Sequence, residues 1–329
     1  MSAVRDSVEP RVLVLGAGGT GGYFGGRLAQ GGADVTVLVR PARGAQLERD
    51  GLRLRSPRGD ADLAVAWTTA DALPDAVAAN GGFDLVLLSC KAYDLDSAVD
   101  AIAPAVGAQT AVLPVLNGLR HYPALDARFG RERVIGGLCF ISSTLDEAGH
   151  VIHLNDSHTL ILGELGGGMT PRIDAIFAEL SRGNFIVQSS ADVMQDLWEK
   201  WTFIATLGAL TSLMRAAVGD VVASGGTPIA EALLEECSAI AARNGHAPRQ
   251  ASTERSRRFL TTPGSTLQAS MAKDIERGAR IEADHIVGDL LERGRSGDGA
   301  GSSRDWPVLR LAYAALKAYE ARRLREAAA

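Results

Sequence analysis

The chain has 329 residues, enough for two domains of ordinary size with substantial apolar cores. Its 34 Lys and Arg against 39 Asp and Glu leave a formal charge of -5, which excludes a general electrostatic grip on nucleic acid or on an anionic membrane surface. The first ten residues, MSAVRDSVEP, hold no apolar signal region, and nowhere do about 18 apolar residues run uninterrupted, so the expectation is a cytoplasmic protein that spans no membrane. Cys90, Cys139 and Cys237 are scattered without metal or redox spacing, which predicts reduced thiols, and the histidines form no ligand set.

Residues 11–40, RVLVLGAGGTGGYFGGRLAQGGADVTVLVR, read as strand, glycine turn, small-residue helix and second strand, a βαβ unit. GLRLRS and ADLAVAW alternate like the arms of a hairpin closed by PRGD. FDLVLLSC (83–90) and TAVLPVLNG (110–118) are further buried-strand candidates, with a helix predicted between them over 94–102. This alternation implies a mostly parallel open sheet. From 133 to 164, RVIGGLCFISS, HVIHL and HTLILGEL predict three strands joined by polar turns, an antiparallel extension. A helix over 171–180 and a strand over 184–188 complete this part. Beyond Ser189-Ser190 the strand signals cease and the pattern is helical to the end. The fold class expected is α/β: a Rossmann-like N-terminal domain, 1–190, and an all-helical C-terminal domain, 191–329. GRSGDGAGSSRD (294–305) predicts a surface loop.

Gly16, Gly18, Gly19, Thr20 and Gly21 form a GxGxxG turn between strand and helix. Glycine at 16 permits the tight turn, at 18 lets the backbone approach a pyrophosphate, and at 21 lets helix and strand pack closely. The helix end adds free amides and positive potential. A dinucleotide site places its ribose contact about 20 residues further on, at the end of the second strand. An NAD enzyme carries an acid there; this chain has Arg40, with Arg43 close by, which matches the 2′-phosphate of NADPH or else is a pair of solvated loop arginines. Lys91 follows a parallel strand at its C-terminal end, where open sheets bind ligands, and adds to the same positive region. Asn117-Gly118 ends the next strand and either reaches the nicotinamide or forms a plain turn.

In DLWEKWTFIATLGALTSLM (196–214), Lys200 shares a helix face with Ile204, Leu207, Gly208 and Thr211. A lysine desolvated by such a face is a proton donor for a carbonyl receiving hydride; the other reading is a stem that snorkels to water or pairs with Asp196. Further on, SMAKDIERGARIEADHI breaks near Gly278 and restarts at Ile281, where Glu282 either complements a helix N-terminus or faces a substrate.

The glycine turn with Arg40, Lys91 in CKAYD, Asn117 in LNG, Lys200 in LWEKW, and SMAKDIERG followed by IEADHI are dispersed over residues 11 to 320, and in this order the chain resembles the ketopantoate reductase (2-dehydropantoate 2-reductase) family. The resemblance implies an NADPH-dependent oxidoreductase of pantothenate biosynthesis acting on a small-molecule carbonyl, a 2-oxo acid, and a homodimer. It implies Lys200 as proton donor and Glu282 as substrate-binding and catalytic. It also implies that Asn117 contacts cofactor and substrate, that Ser270 contacts the substrate's carboxylate end, and that Thr211 belongs to the substrate site. Family members tend to carry asparagines one and two turns after the lysine, where this chain has Ile204 and Gly208, neither able to hydrogen-bond through a side chain. This departure points to a more apolar ketone or imine as the alternative substrate. A further alternative is an NADPH-binding sensor without catalysis.

Overall fold

A computed structural model describes residues 9–296 and 305–327; most of the loop expected over 294–305 lies outside the described residues. The chain divides into two compact units, Met1–Leu116 with His121–Met194, and Asn117–Arg120 with Gln195–Ala329. The expected architecture is present: a Rossmann-like unit built on a parallel sheet, and a helical unit.

The first unit runs β1 (Arg11–Leu15), α1 (Gly19–Gln30), β2 (Asp34–Leu38), α2 (Pro41–Asp50), β3 (Leu52–Arg55), β4 (Ala61–Leu63), β5 (Ala66–Thr68), α3 (Leu73–Asn80), β6 (Leu85–Leu88), α4 (Leu95–Ile102), β7 (Ala111–Pro114), α5 (His121–Phe129), β8 (Gly136–Leu145), β9 (Val151–Gly163), α6 (Pro171–Leu180) and β10 (Ile186–Ser189). Its main sheet has the order β5-β2-β1-β6-β7, parallel throughout. Every residue of β6 and β7 is buried, as strands covered on both faces require. The connection runs one way from β1 to β2 and the other way to β6, so the carboxyl ends of β1, β2 and β6 flank the switch point where such sheets bind ligands.

The second sheet differs from expectation in two places. ADLAVAW is not one hairpin arm: β4 pairs antiparallel with β3 across the PRGD turn, but β5 leaves to extend the main sheet beside β2. HVIHL and HTLILGEL are one strand, β9, because the polar stretch between them stays extended instead of turning. β9 pairs antiparallel with β8 at both its ends, 151–153 and 158–163, while its polar centre falls out of register between Ile141 and Ser143; on its other edge it meets β3 at its start and β10 at its end. The short α5, with a proline inside it, was not expected.

The second unit holds α7 (Val193–Met214, whose first residues belong to the first unit), α8 (Val218–Ala223), α9 (Thr227–Arg243), α10 (Gln250–Leu260), α11 (Ser270–Glu276), a π-helical turn at Asp284–Gly288, α12 (Asp289–Ser296) and α13 (Pro307–Ala327). α9 is central, packing against α10, α12 and α13, and buries Leu233, Leu234, Cys237 and Ile240. Burial pushes the Cys237 thiol up to about 12, so it behaves as a core hydrophobe. No disulfide and no metal-ligating cluster occur among the described residues. No described helix is long and apolar enough to cross a membrane.

Candidate active site

In the first unit the glycine turn is held from three directions. Gly16 has φ +90°, a left-handed conformation, and a methyl there would lie 2.9 Å from the Ser89 carbonyl oxygen. At Gly21 a methyl would meet the Gly16 carbonyl oxygen at 2.3 Å and Ser89 Oγ at 2.9 Å, so helix α1 approaches β1 and the end of β6 more closely than any side chain allows. Gly19 is equally constrained, by the Ser143 carbonyl oxygen at 2.7 Å. Gly18 is the exception: nothing lies within 4 Å of a methyl placed there. It caps α1 without a side-chain hydrogen bond, and the first turn of that helix, which includes the half-buried Thr20, carries no acid. Open space, an uncapped helix N-terminus and no nearby acid in the turn together fit the diphosphate of a dinucleotide.

Around this turn, Arg43 donates to the Ala17 carbonyl oxygen at 3.1 Å and to Gln46 Oε1 at 2.6 Å. Burial draws its guanidinium below the ordinary arginine range, with Asp146 acting in the opposite direction. Arg43 thus braces the glycine turn. Arg40, at the N-cap of α2, has a side chain 82% exposed and a loose ion pair to Asp94 at 3.5 Å, so it is the arginine able to reach an added phosphate. Lys91 is half-buried at the start of the 3-10 turn Ala92–Asp94. Ser143, which no sequence signal marks, lies beside Gly19 with its Oγ buried and unpartnered among the described residues.

In the second unit, the residues expected to carry the chemistry are tied together through their neighbours. Lys200 sits on α7 with 7% of its surface exposed. Next to it, the buried Trp201 donates from Nε1 to the Ile286 carbonyl oxygen at 2.9 Å, inside the π-helical turn that follows Glu282. π turns leave carbonyl groups out of the regular i→i−4 ladder, which gives the indole its acceptor. Asn117 belongs to this unit: its backbone is hydrogen-bonded to His285, and at Gly118 (φ +78°) a methyl would lie 3.0 Å from the His285 carbonyl oxygen. Burial lowers the His285 imidazole pKa, while Glu282, Asp289 and the Asn117 backbone act to raise it. The turn at 284–288 therefore fixes the backbone of Asn117, the half-buried Glu282 and the helix that carries Lys200.

Two further placements were not legible in the sequence. Glu199, adjacent to Lys200 and buried, accepts from the Arg249 backbone at 2.9 Å and from its Nε at 2.7 Å, as well as from Gln195 at 3.1 Å. Burial works to raise its carboxyl, but the hydrogen bonds outweigh it and hold the group below the ordinary glutamate range. Thr211 is fully buried; its hydroxyl donates to the Leu207 carbonyl oxygen at 2.7 Å and accepts from the Ala269 amide at 3.3 Å. That contact fixes the backbone just ahead of Ser270, which is exposed at the first position of α11.

A dinucleotide turn on a parallel sheet and a buried lysine on a helical unit define a class of two-domain oxidoreductases. Comparison with known proteins agrees. The family model described as ketopantoate reductase PanE/ApbA matches residues 12–167, and that of its C-terminal part matches residues 192–320. An uncharacterized oxidoreductase of Bacillus subtilis, YkpB, is 36% identical, the alignment covering 94% of this chain and 99% of that protein. The 2-dehydropantoate 2-reductase of Mesorhizobium japonicum is 26% identical over 87% of this chain and 91% of its own. Among solved structures, a PanE/ApbA family ketopantoate reductase from Ralstonia eutropha superposes with a TM-score of 0.82 at 27% identity, covering 95% of this chain and 99% of that one. The chain belongs to the ketopantoate reductase family and is an oxidoreductase acting on a carbonyl/hydroxyl pair.

Proposed function

We propose that the protein reduces the carbonyl of a 2-oxo acid, ketopantoate or a related compound, with NADPH, and that Lys200 supplies the proton. The observation that carries this reading is the burial of Lys200, 7% exposed, on a helix face otherwise made of hydrocarbon and small residues. NADPH, when bound at the glycine turn, supplies the hydride. Arg40 holds the 2′-phosphate, with its loose pairing to Asp94 easily exchanged for a doubly charged partner. Lys91 adds positive charge to the cofactor region.

Hydride reaching the carbonyl carbon puts charge on oxygen, and the Lys200 ammonium transfers its proton there; the neutral amine then recovers a proton from solvent, and the product is the 2-hydroxy acid. Glu282 orients the lysine or a substrate hydroxyl, Asn117 holds the carbonyl, and Ser270 receives the carboxylate. The test is Lys200→Ala. General acid catalysis contributes about 10²- to 10⁴-fold, so kcat should fall by that factor while NADPH still binds with its original affinity, read by the fluorescence of the cofactor. Unchanged turnover would remove the lysine from the mechanism.

A further inference from the structure

We infer that the helical unit holds a second ligand site, at the C-terminal end of α7, for a monocarboxylate with a hydrocarbon tail. A cavity of about 310 Å³ opens there between the last turn of α7, α11 and α13, a volume at the lower end of small-molecule sites. Its walls are hydrocarbon: Leu213 from α7, Ile275 from α11, and Leu316 and Ala318 from α13. Ser212, Arg215 and Arg322 interrupt them, beside the ring of Tyr319. No acid lines the cavity among the described residues, in a chain whose net charge is -5. Lys200, Glu282, Ser270 and Asn117 do not line it either, so it is separate from the groups assigned to the reduction. Apolar walls with a few convergent polar groups are the composition of a ligand pocket, and the two guanidinium groups set the sign of the head group.

Two of these polar residues are held in ways that the helix alone does not account for. Ser212 is 7% exposed, and its hydroxyl has no hydrogen-bond partner among the described residues. Elsewhere on α7 the buried hydroxyls of Thr206 and Thr211 donate to the carbonyl oxygens four residues back, at 2.8 and 2.7 Å. Ser212 makes no such bond, and a buried hydroxyl left unpaired is costly until a ligand oxygen pairs with it. Arg215 is the only non-glycine residue with a left-handed φ, +51°, among the described residues. It stands just past the end of α7, where the Ala216 amide closes the helix on the Thr211 carbonyl oxygen at 3.3 Å and glycine is the relaxed choice. The chain keeps a guanidinium at this strained position, and it lines the cavity. Arg322, on α13, lies 5.7 Å over the Tyr319 ring and pairs with Glu326 at 3.8 Å, a loose and exposed contact that a carboxylate replaces easily.

Octanoate is the probe, with octanol as the same tail without the charge and acetate as the charge without the tail. Calorimetric titration of the wild-type protein should show octanoate binding about tenfold more tightly than octanol and at least about a hundredfold more tightly than acetate. Excess ketopantoate should leave octanoate in place, because the groups assigned to the reduction lie elsewhere. Arg215→Gly should weaken octanoate about tenfold and leave octanol unchanged, while the melting temperature holds or rises as the left-handed turn relaxes. Ala318→Trp, at an exposed position on α13, should fill the cavity and abolish binding of both octanoate and octanol. Failure of octanoate to bind, equal affinity for octanol, displacement by ketopantoate, or an affinity untouched by the two substitutions each overturn the inference.

Discussion

At the scale of single residues, the glycines of the cofactor turn separate into two kinds that the motif alone does not distinguish. Gly21 has no room for a methyl, with a backbone oxygen 2.3 Å from where it would sit, whereas Gly18 has nothing within 4 Å. Gly21→Ala should lower the melting temperature together with NADPH affinity, as overpacking costs roughly 1–3 kcal/mol. Gly18→Ala should leave the melting temperature within about a degree and, if the proposed diphosphate fills that open space, weaken NADPH at least tenfold. Thermal unfolding with and without NADPH separates the two, and equal destabilisation by both would contradict the geometry. The turn was legible because its requirement is steric and local. The Ser143 contact with Gly19 was not, since it joins residues far apart in sequence whose only relation is packing. Arg40 was legible by position, but the bracing role of Arg43 depends on the fold of α2 back onto Ala17.

At the scale of elements, α7 carries the lysine proposed as proton donor and is anchored at two points. It is held to α10 by Arg249 on Glu199 and to the turn at 284–288 by Trp201 on Ile286. The Glu199 side chain is only 5% exposed, so Arg249→Ala would strand a buried carboxylate, a change that typically costs about 3–5 kcal/mol. Urea unfolding should show that loss as a lower midpoint, and Glu199→Gln in the Arg249→Ala background should recover part of it; a midpoint unchanged by Arg249→Ala would show the pair to be solvated. Neither partner could be matched in the sequence, where their separation carries no helical periodicity. The β-strands were misread for a related reason. ADLAVAW alternates as one strand should, yet the register of two different sheets divides it, and the polar centre of β9 looks like a turn because it is the part that falls out of register with β8, which pairs on either side of it.

Over the whole molecule, stability should depend on pH through histidines buried in both units. In the first, Tyr23 and His158 share a buried hydrogen bond of 2.9 Å, His153 stacks at 6.0 Å, and Arg27 lies over the Tyr23 ring at 5.1 Å. Burial, then Arg58, His153 and Arg27, hold the His158 imidazole below the ordinary histidine range, and burial does the same to His285 in the second. A base whose folded pKa lies below its unfolded one binds protons preferentially in the unfolded chain. The native state therefore weakens as pH falls through about 6.5 toward the folded value and is at full strength above it. Melting temperature should decline between about pH 7.5 and 5.5, and His158→Gln should flatten that decline; a constant melting temperature across the interval would show both rings protonating freely.

The backbone grouping of Asn117–Arg120 with Gln195–Ala329 also bears on how this family can be recombined. A chimera joined by one cut near residue 194 would transplant the helical unit without the four residues that its own His285 grips at Asn117 and Gly118. Exchange of the whole unit between relatives thus means exchanging two segments through three junctions, the smaller segment a four-residue insert in the dinucleotide half of the gene.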